Sequence, residues 1–148
     1  MAIDDLGNLP MRGRLVIDTA PIIYVLEDHP AFAARFIPVF ERAEAGDYEL
    51  VITTTTLAEV LVGPLRRGDE SLAREYRDTL TSPPAWLVVD LTAEIAHRAA
   101  RIRGRTGLRL PDAVQVATAI ETASMGLVTH DRDFAALDRS PERVAVYS

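Results

Sequence analysis

Apolar residues along this chain fall into short unbroken runs separated by longer stretches where they recur every three or four positions. Leu15, Val16 and Ile17 have no polar alternation, which predicts a strand buried on both faces over residues 14–18, the habit of a parallel sheet. Further short runs predict strands over 48–53, 86–89, 127–129 and 144–146. Between them, Pro21 opens a short helix to about residue 27. Phe32, Phe36, Val39 and Phe40 share one face of a helix over 31–45, which Pro38 should kink or split and Gly46 should close. Thr53 leads into a helix that Gly63 and Pro64 should end, and Asp69 caps another to about residue 80. Thr92 starts a helix to about residue 103, and residues 103–110 read as a loop with three arginines. Residues 111–120 are apolar nearly all round, so they predict a buried central helix. A short helix follows Asp131.

Strands alternating with helices throughout predict an α/β, three-layer sandwich around a central, mainly parallel sheet of about five short strands. There is no internal repeat, and residues 14–148 read as a single domain. Residues 1–13 show no periodicity and read as a flexible lead-in, within which Met11 could serve as the start.

Composition narrows the chemistry. The chain has 148 residues, 48% of them hydrophobic, and a net charge of −6. That is not the balance of a protein that coats nucleic acid through overall basicity, although a local basic path remains compatible with it. All 16 basic residues are arginine. The absence of cysteine removes thiolate metal sites, disulfides and a cysteine nucleophile, and His29, His97 and His130 are scattered. No apolar run reaches the length of a membrane span and no secretory signal precedes the first strand, so a cytoplasmic protein without membrane attachment is expected.

The acids stand at telling positions. Asp18 ends the first strand, Glu59 lies in the helix after the second, Asp112 opens the buried helix, and Asp131 follows the fourth strand. Each has a plain structural account. Asp18 before Thr19-Ala20-Pro21 can cap a helix, Thr56 to Glu59 fits a capping box, Asp112 suits the positive end of a helix dipole, and Asp131 or Asp133 can cap the last helix. Together they point elsewhere. In a parallel sheet every strand-to-helix junction lies on one edge, so Asp18, Glu59 and Asp131 converge, and Asp112 is expected beside them. Two carboxylates about 5 Å apart repel by about 3 kcal/mol at an effective dielectric of about 20. A hard divalent cation, Mg²⁺ or Mn²⁺, is the natural counter-charge; arginines such as Arg109 or Arg132 are the structural alternative.

The blocks Ile17-Asp18-Thr19, residues 56–64 from Thr56 to Pro64, residues 105–119 around Pro111-Asp112-Ala113, and Thr129-His130-Asp131-Arg132-Asp133-Phe134 resemble, in order and spacing, the four motifs of PIN-domain endoribonucleases of the VapC toxin type. The resemblance implies an acidic metal-binding and catalytic quartet of Asp18, Glu59, Asp112 and Asp131, with Asp133 as a further acid and Thr19 and Thr129 as supporting hydroxyls. It implies an Mg²⁺-dependent hydrolase cutting a structured RNA of the tRNA or rRNA type. It also implies a cognate antitoxin whose C-terminal segment crosses the acidic cleft, and a homodimer using the apolar helices at 21–26 and 32–40. Asp18 and Asp112 would be the central ligands. Arg66, Arg67, Arg103, Arg105 and Arg109 are candidates to hold RNA phosphates, each with a solvated-surface alternative.

Other scaffolds of similar pattern fit less well. A phospho-accepting receiver domain and a haloacid-dehalogenase phosphatase both require a lysine, which the chain lacks, and the second also wants an acid where Ala20 stands. A non-catalytic, protein-binding domain with a retained acid pocket is the remaining alternative.

Overall fold

The first strand sits at the centre of the sheet because its side chains are apolar on both faces. In a computed structural model describing residues 3–148, Leu15 and Ile17 of β1 (Gly13–Ile17) face one layer of helices and Val16 faces the other, all fully buried. β2 (Tyr48–Thr53), β3 (Trp86–Val89), β4 (Gly126–Val128) and β5 (Ala145–Tyr147) complete a sheet of order β3-β2-β1-β4-β5, every pair parallel. Helices cover both faces, so the expected three-layer α/β sandwich is the observed architecture. No helix among the described residues is long and apolar enough to cross a membrane.

One face carries α1 (Thr19–Leu26), α2 (Ala33–Glu44), α3 (Thr54–Arg66) and α4 (Glu70–Leu80); Ile22, Phe36, Val39, Val60, Tyr76 and Leu80 pack there on Leu15, Leu50 and Ile52. The other carries α5 (Ala93–Thr106), α6 (Leu110–Glu121) and a 3₁₀ helix (Arg132–Arg139), whose Ile102, Val116, Phe134 and Leu137 pack on Val16, Val51 and Leu127. Gly126 is required where β4 meets β5: a Cβ there would lie 2.8 Å from the Ala145 carbonyl and 2.6 Å from the Tyr147 ring.

Several local expectations are corrected. α2 runs unbroken through Pro38, an exposed position, so water can serve the carbonyl the proline leaves without an intrahelical donor. α3 likewise continues past Gly63 and the buried Pro64. α5 extends to Thr106, where the left-handed Gly107 (φ 77°) ends it, so Arg103 and Arg105 are helical rather than in a loop. The lead-in expected to be flexible is docked over its described part. The Asp4 N–H donates to the Val146 carbonyl at 2.7 Å, Leu6 and Leu9 pack on the core, and the Tyr48 hydroxyl donates to the Pro10 carbonyl. Met1 and Ala2 lie outside the described residues.

Candidate active site

The strand order places a topological switch between β1 and β4, because the chain leaves β1 towards β2 on one side and reaches β4 on the other. Ile17 is in register with Val128, and the Asp18 N–H continues the ladder by donating to the Val128 carbonyl at 2.9 Å. Asp18 and Thr129 are therefore neighbours by register. The fully buried Thr129 hydroxyl donates to Asp18 Oδ2 at 2.7 Å and accepts from the Asp131 N–H at 3.0 Å.

Asp18 is also the N-cap of α1, its Oδ1 accepting from the Thr19 N–H at 2.8 Å. The same oxygen accepts from Gln115 Nε2 at 3.2 Å. Capping thus accounts for one of the carboxylate's contacts and leaves the side chain on the cleft wall.

Glu59 is placed differently from the capping-box expectation. Thr53, not Thr56, caps α3, its hydroxyl accepting from the Thr56 N–H at 3.0 Å. Glu59 consequently lies a turn beyond the reach of the cap, with its carboxylate directed to the cleft. Although the side chain is exposed, the cleft walls strip part of its hydration, which together with repulsion from Asp18 and Asp112 raises its pKa against an opposing hydrogen bond from Thr19.

Asp112 occupies the first turn of α6, after Arg109 as N-cap and Pro111. It is 6% exposed, and burial raises its pKa even though the Arg109 guanidinium lies beside it at 3.3 Å; Asp18 and Asp131 push the same way. Asp131 caps the 3₁₀ helix, accepting from the Asp133 N–H at 2.8 Å. The loop that carries Thr129 and Asp131 is braced from α1 and α2: the Tyr24 hydroxyl is 3.0 Å from His130 Nδ1, and the rings of Phe32 and Phe36 pack edge-on to the same imidazole.

Asp18, Glu59, Asp112 and Asp131 thus line one cleft of about 490 Å³, together with Thr19, Thr53, Thr56 and Gln115, between apolar flanks that include Ile23, Leu91 and Leu110. Among the described lining residues, Arg109 alone opposes the four carboxylates. Asp133 is exposed and lies outside this lining. Of the arginines named as RNA contacts, Arg109 alone reaches it. Arg103 donates to the Leu108 carbonyl, Arg105 faces Glu142 at 3.7 Å, Arg67 faces Glu27 at 3.9 Å, and Arg66 is on the exposed end of α3.

The donors are oxygens of carboxylates, hydroxyls and an amide, which suit a hard divalent cation, and burial first, with the neighbouring carboxylates adding to it, raises the pKa values of Glu59 and Asp112. As the side chains stand, no three acidic or histidine groups among the described residues are gathered closely enough to hold an ion together. The residue types fit the class of ion, while their arrangement as it stands does not bring three of them together.

Sequence reasoning missed Gln115 and the Thr53–Thr56 pair. Gln115 Nε2 donates to Thr56 Oγ1 at 2.8 Å as well as to Asp18, joining α6 to the starts of α1 and α3. The available signal was a lone amide inside an otherwise apolar helix.

Solved structures share this fold. A toxin–antitoxin complex from Klebsiella pneumoniae has a chain 26% identical, superposing with a TM-score of 0.63 over 82% of this chain and 90% of that one. The sarcin–ricin-loop-cleaving toxin VapC20 of Mycobacterium tuberculosis is 18% identical, with a TM-score of 0.65 over 87% and 98%. VapBC2 of Rickettsia felis, solved on a fragment of its promoter DNA, is 17% identical, with a TM-score of 0.68 over 91% and 98%. No curated protein matches the chain. The sequence profile of the PIN domain matches residues 15–140, from the first buried residues of β1 to the end of the 3₁₀ helix. With that profile matching most of its length, the chain belongs to the PIN domain family.

Proposed function

We propose that this protein is a divalent-metal-dependent endoribonuclease of the VapC type, the toxin of a toxin–antitoxin pair acting in the cytoplasm. The observation that carries the proposal is the arrival of Asp18, Glu59, Asp112 and Asp131 in one cleft from four separate parts of the chain. Capping explains Asp18 and Asp131 in part, and does not explain Glu59 or the buried Asp112.

Asp18 and Asp112 would hold Mg²⁺ or Mn²⁺, with Glu59 and Asp131 completing the set. When bound, the cation supplies charge stabilisation at a phosphate and a water of lowered pKa. The chain's own residues do the rest. Thr129, Gln115 and the Thr19 N–H hold the Asp18 carboxylate in one orientation, so little reorganisation remains when substrate arrives. Arg109, 71% exposed at the rim, is the group able to swing from Asp112 to an RNA phosphate. Glu59, whose pKa is raised by burial first and by Asp18 next, stands on the cleft wall as an acid able to exchange a proton there.

The similarity to toxin–antitoxin complexes supports an antitoxin partner. A cleft with four carboxylates and apolar flanks suits a partner segment bearing an arginine among apolar residues. A homodimer and a structured RNA substrate complete the reading.

The test is cleavage of structured RNA by purified protein. Mg²⁺-dependent scission should stop on chelation and fall at least about 100-fold in Asp18→Asn. Wild-type rates from Asp18→Asn end the nuclease reading. A non-catalytic, protein-binding domain draws on the Arg109–Asp112 pair, which occupies one acid as the side chains stand; antitoxin binding without any RNA cleavage by wild type would favour it.

A further inference from the structure

Gln115 is 5% exposed, on the same face of α6 as Asp112 three residues earlier. Its Nε2 reaches Asp18 Oδ1 at 3.2 Å and Thr56 Oγ1 at 2.8 Å, both on the cleft wall, so the amide head lies at the cleft floor. Its Oε1 is buried and has no hydrogen-bond partner. The amide cannot relieve this by turning over, because Oε1 would then face the Asp18 carboxylate oxygen, acceptor against acceptor. A buried acceptor without a partner opposes folding. Met or Leu in the same place would fill the space and leave no orphan.

From this imbalance we infer that Gln115 is a positioning residue of the acidic site: it aims the Asp18 carboxylate and ties it to α3 through Thr56. The inference rests on the metal-dependent reading above. A residue retained for packing should stabilise the fold; Gln115 has a geometry that serves Asp18 and leaves its own oxygen unsatisfied. The neighbouring backbone and hydroxyl contacts to Asp18 come from α1 and the β4 loop, so Gln115 is the brace that α6, the helix of Asp112, supplies to Asp18. It sets the relation between the two acids that stand as central ligands.

The test uses the full chain, with Mn²⁺ and Mg²⁺ alone as probes in titration calorimetry, beside urea unfolding in chelator. Gln115→Met, of similar length and volume, loses the orphan acceptor together with the bonds to Asp18 and Thr56, and should weaken ion affinity about 10-fold or more, beyond any change in metal-free stability. With RNA, the loss should fall on kcat rather than KM at saturating ion. Gln115→Asn, which keeps an amide but withdraws it by one carbon–carbon bond, should weaken ion affinity comparably and stands in if the first variant does not fold. Wild-type ion affinity in these variants, or lowered stability with unchanged affinity, overturns the inference and leaves the nuclease reading standing. Failure of wild type to bind either ion, with Asp18→Asn as the blank, overturns both.

Discussion

Thr129 is the side chain through which the two halves of the cleft are joined, and replacing its hydroxyl by a methyl measures that junction. Thr129→Val keeps shape and burial at a position with no solvent exposure. It removes the 2.7 Å bond to Asp18 Oδ2 and the acceptor of the Asp131 N–H. A hydrogen bond to a charged group is worth about 1.5–3 kcal/mol net. Asp131 is only half-buried, so water can replace the lost acceptor there and adds little to the total. Asp18 keeps its contacts to Thr19 and Gln115, which places the expected loss near the middle of the range, about 2 kcal/mol. With a urea m-value of about 2 kcal/mol/M, the unfolding midpoint should fall by about 1 M. The melting temperature should fall by about 6 °C for a domain of this size. Thr129→Ser retains the hydroxyl and should stay within about 1 kcal/mol of wild type, reflecting the loss of a buried methyl alone. Urea unfolding of the three proteins at pH 7 in chelator separates these outcomes. A Val variant with the wild-type midpoint, or Ser and Val variants that fall together, would refute the claim that this hydroxyl holds Asp18.

Glu59 and Asp112 both have raised pKa values, so the folded metal-free protein binds more protons than the unfolded chain between the ordinary carboxylate range and the raised values. Their contribution to stability is therefore fully present in acid and is lost as pH rises through the folded values. The stability difference between Glu59→Gln and wild type in chelator should be smallest in acid and should grow in the variant's favour towards neutrality; a pH-independent difference in urea midpoints would contradict it. Removing residues 1–10 should destabilise the fold by about 2–3 kcal/mol, since Ile3, Leu6 and Leu9 pack on the core and Tyr48 loses its acceptor, and a melting temperature unchanged on truncation would show the segment to be passive.

Much of the fold was legible because double-sided burial leaves a strong mark. Leu15-Val16-Ile17 has no polar alternation, and with strands and helices alternating along the chain that pattern predicts a parallel sheet with helices on both faces. The acids were legible through topology, since strand-to-helix junctions share an edge whatever the loops do. What escaped depended on contacts far apart in sequence. Pro38 and Pro64 interrupt a helical pattern locally, but solvent on one side and the core on the other sustain α2 and α3. The cap of α3 is Thr53 rather than Thr56, a choice among four consecutive threonines that local propensity cannot rank. Gln115 looks like an ordinary helix residue until Asp18, 97 positions away, is placed against it. The docking of residues 3–10 has no periodic signature because Asp4 pairs with the edge strand β5 at the opposite end of the chain.

The strand order also governs when the cleft comes into being. β1 is made first yet occupies the middle of the sheet, and one of its flanking partners, β4, is synthesised only from Gly126 onward. Asp18 therefore waits until β4 has been made before Thr129 and Asp131 arrive beside it. A polypeptide that stops short of β4 has Asp18 and Glu59 but neither Thr129 nor Asp131, so the four-acid cleft does not assemble until β4 and the loop after it have been made.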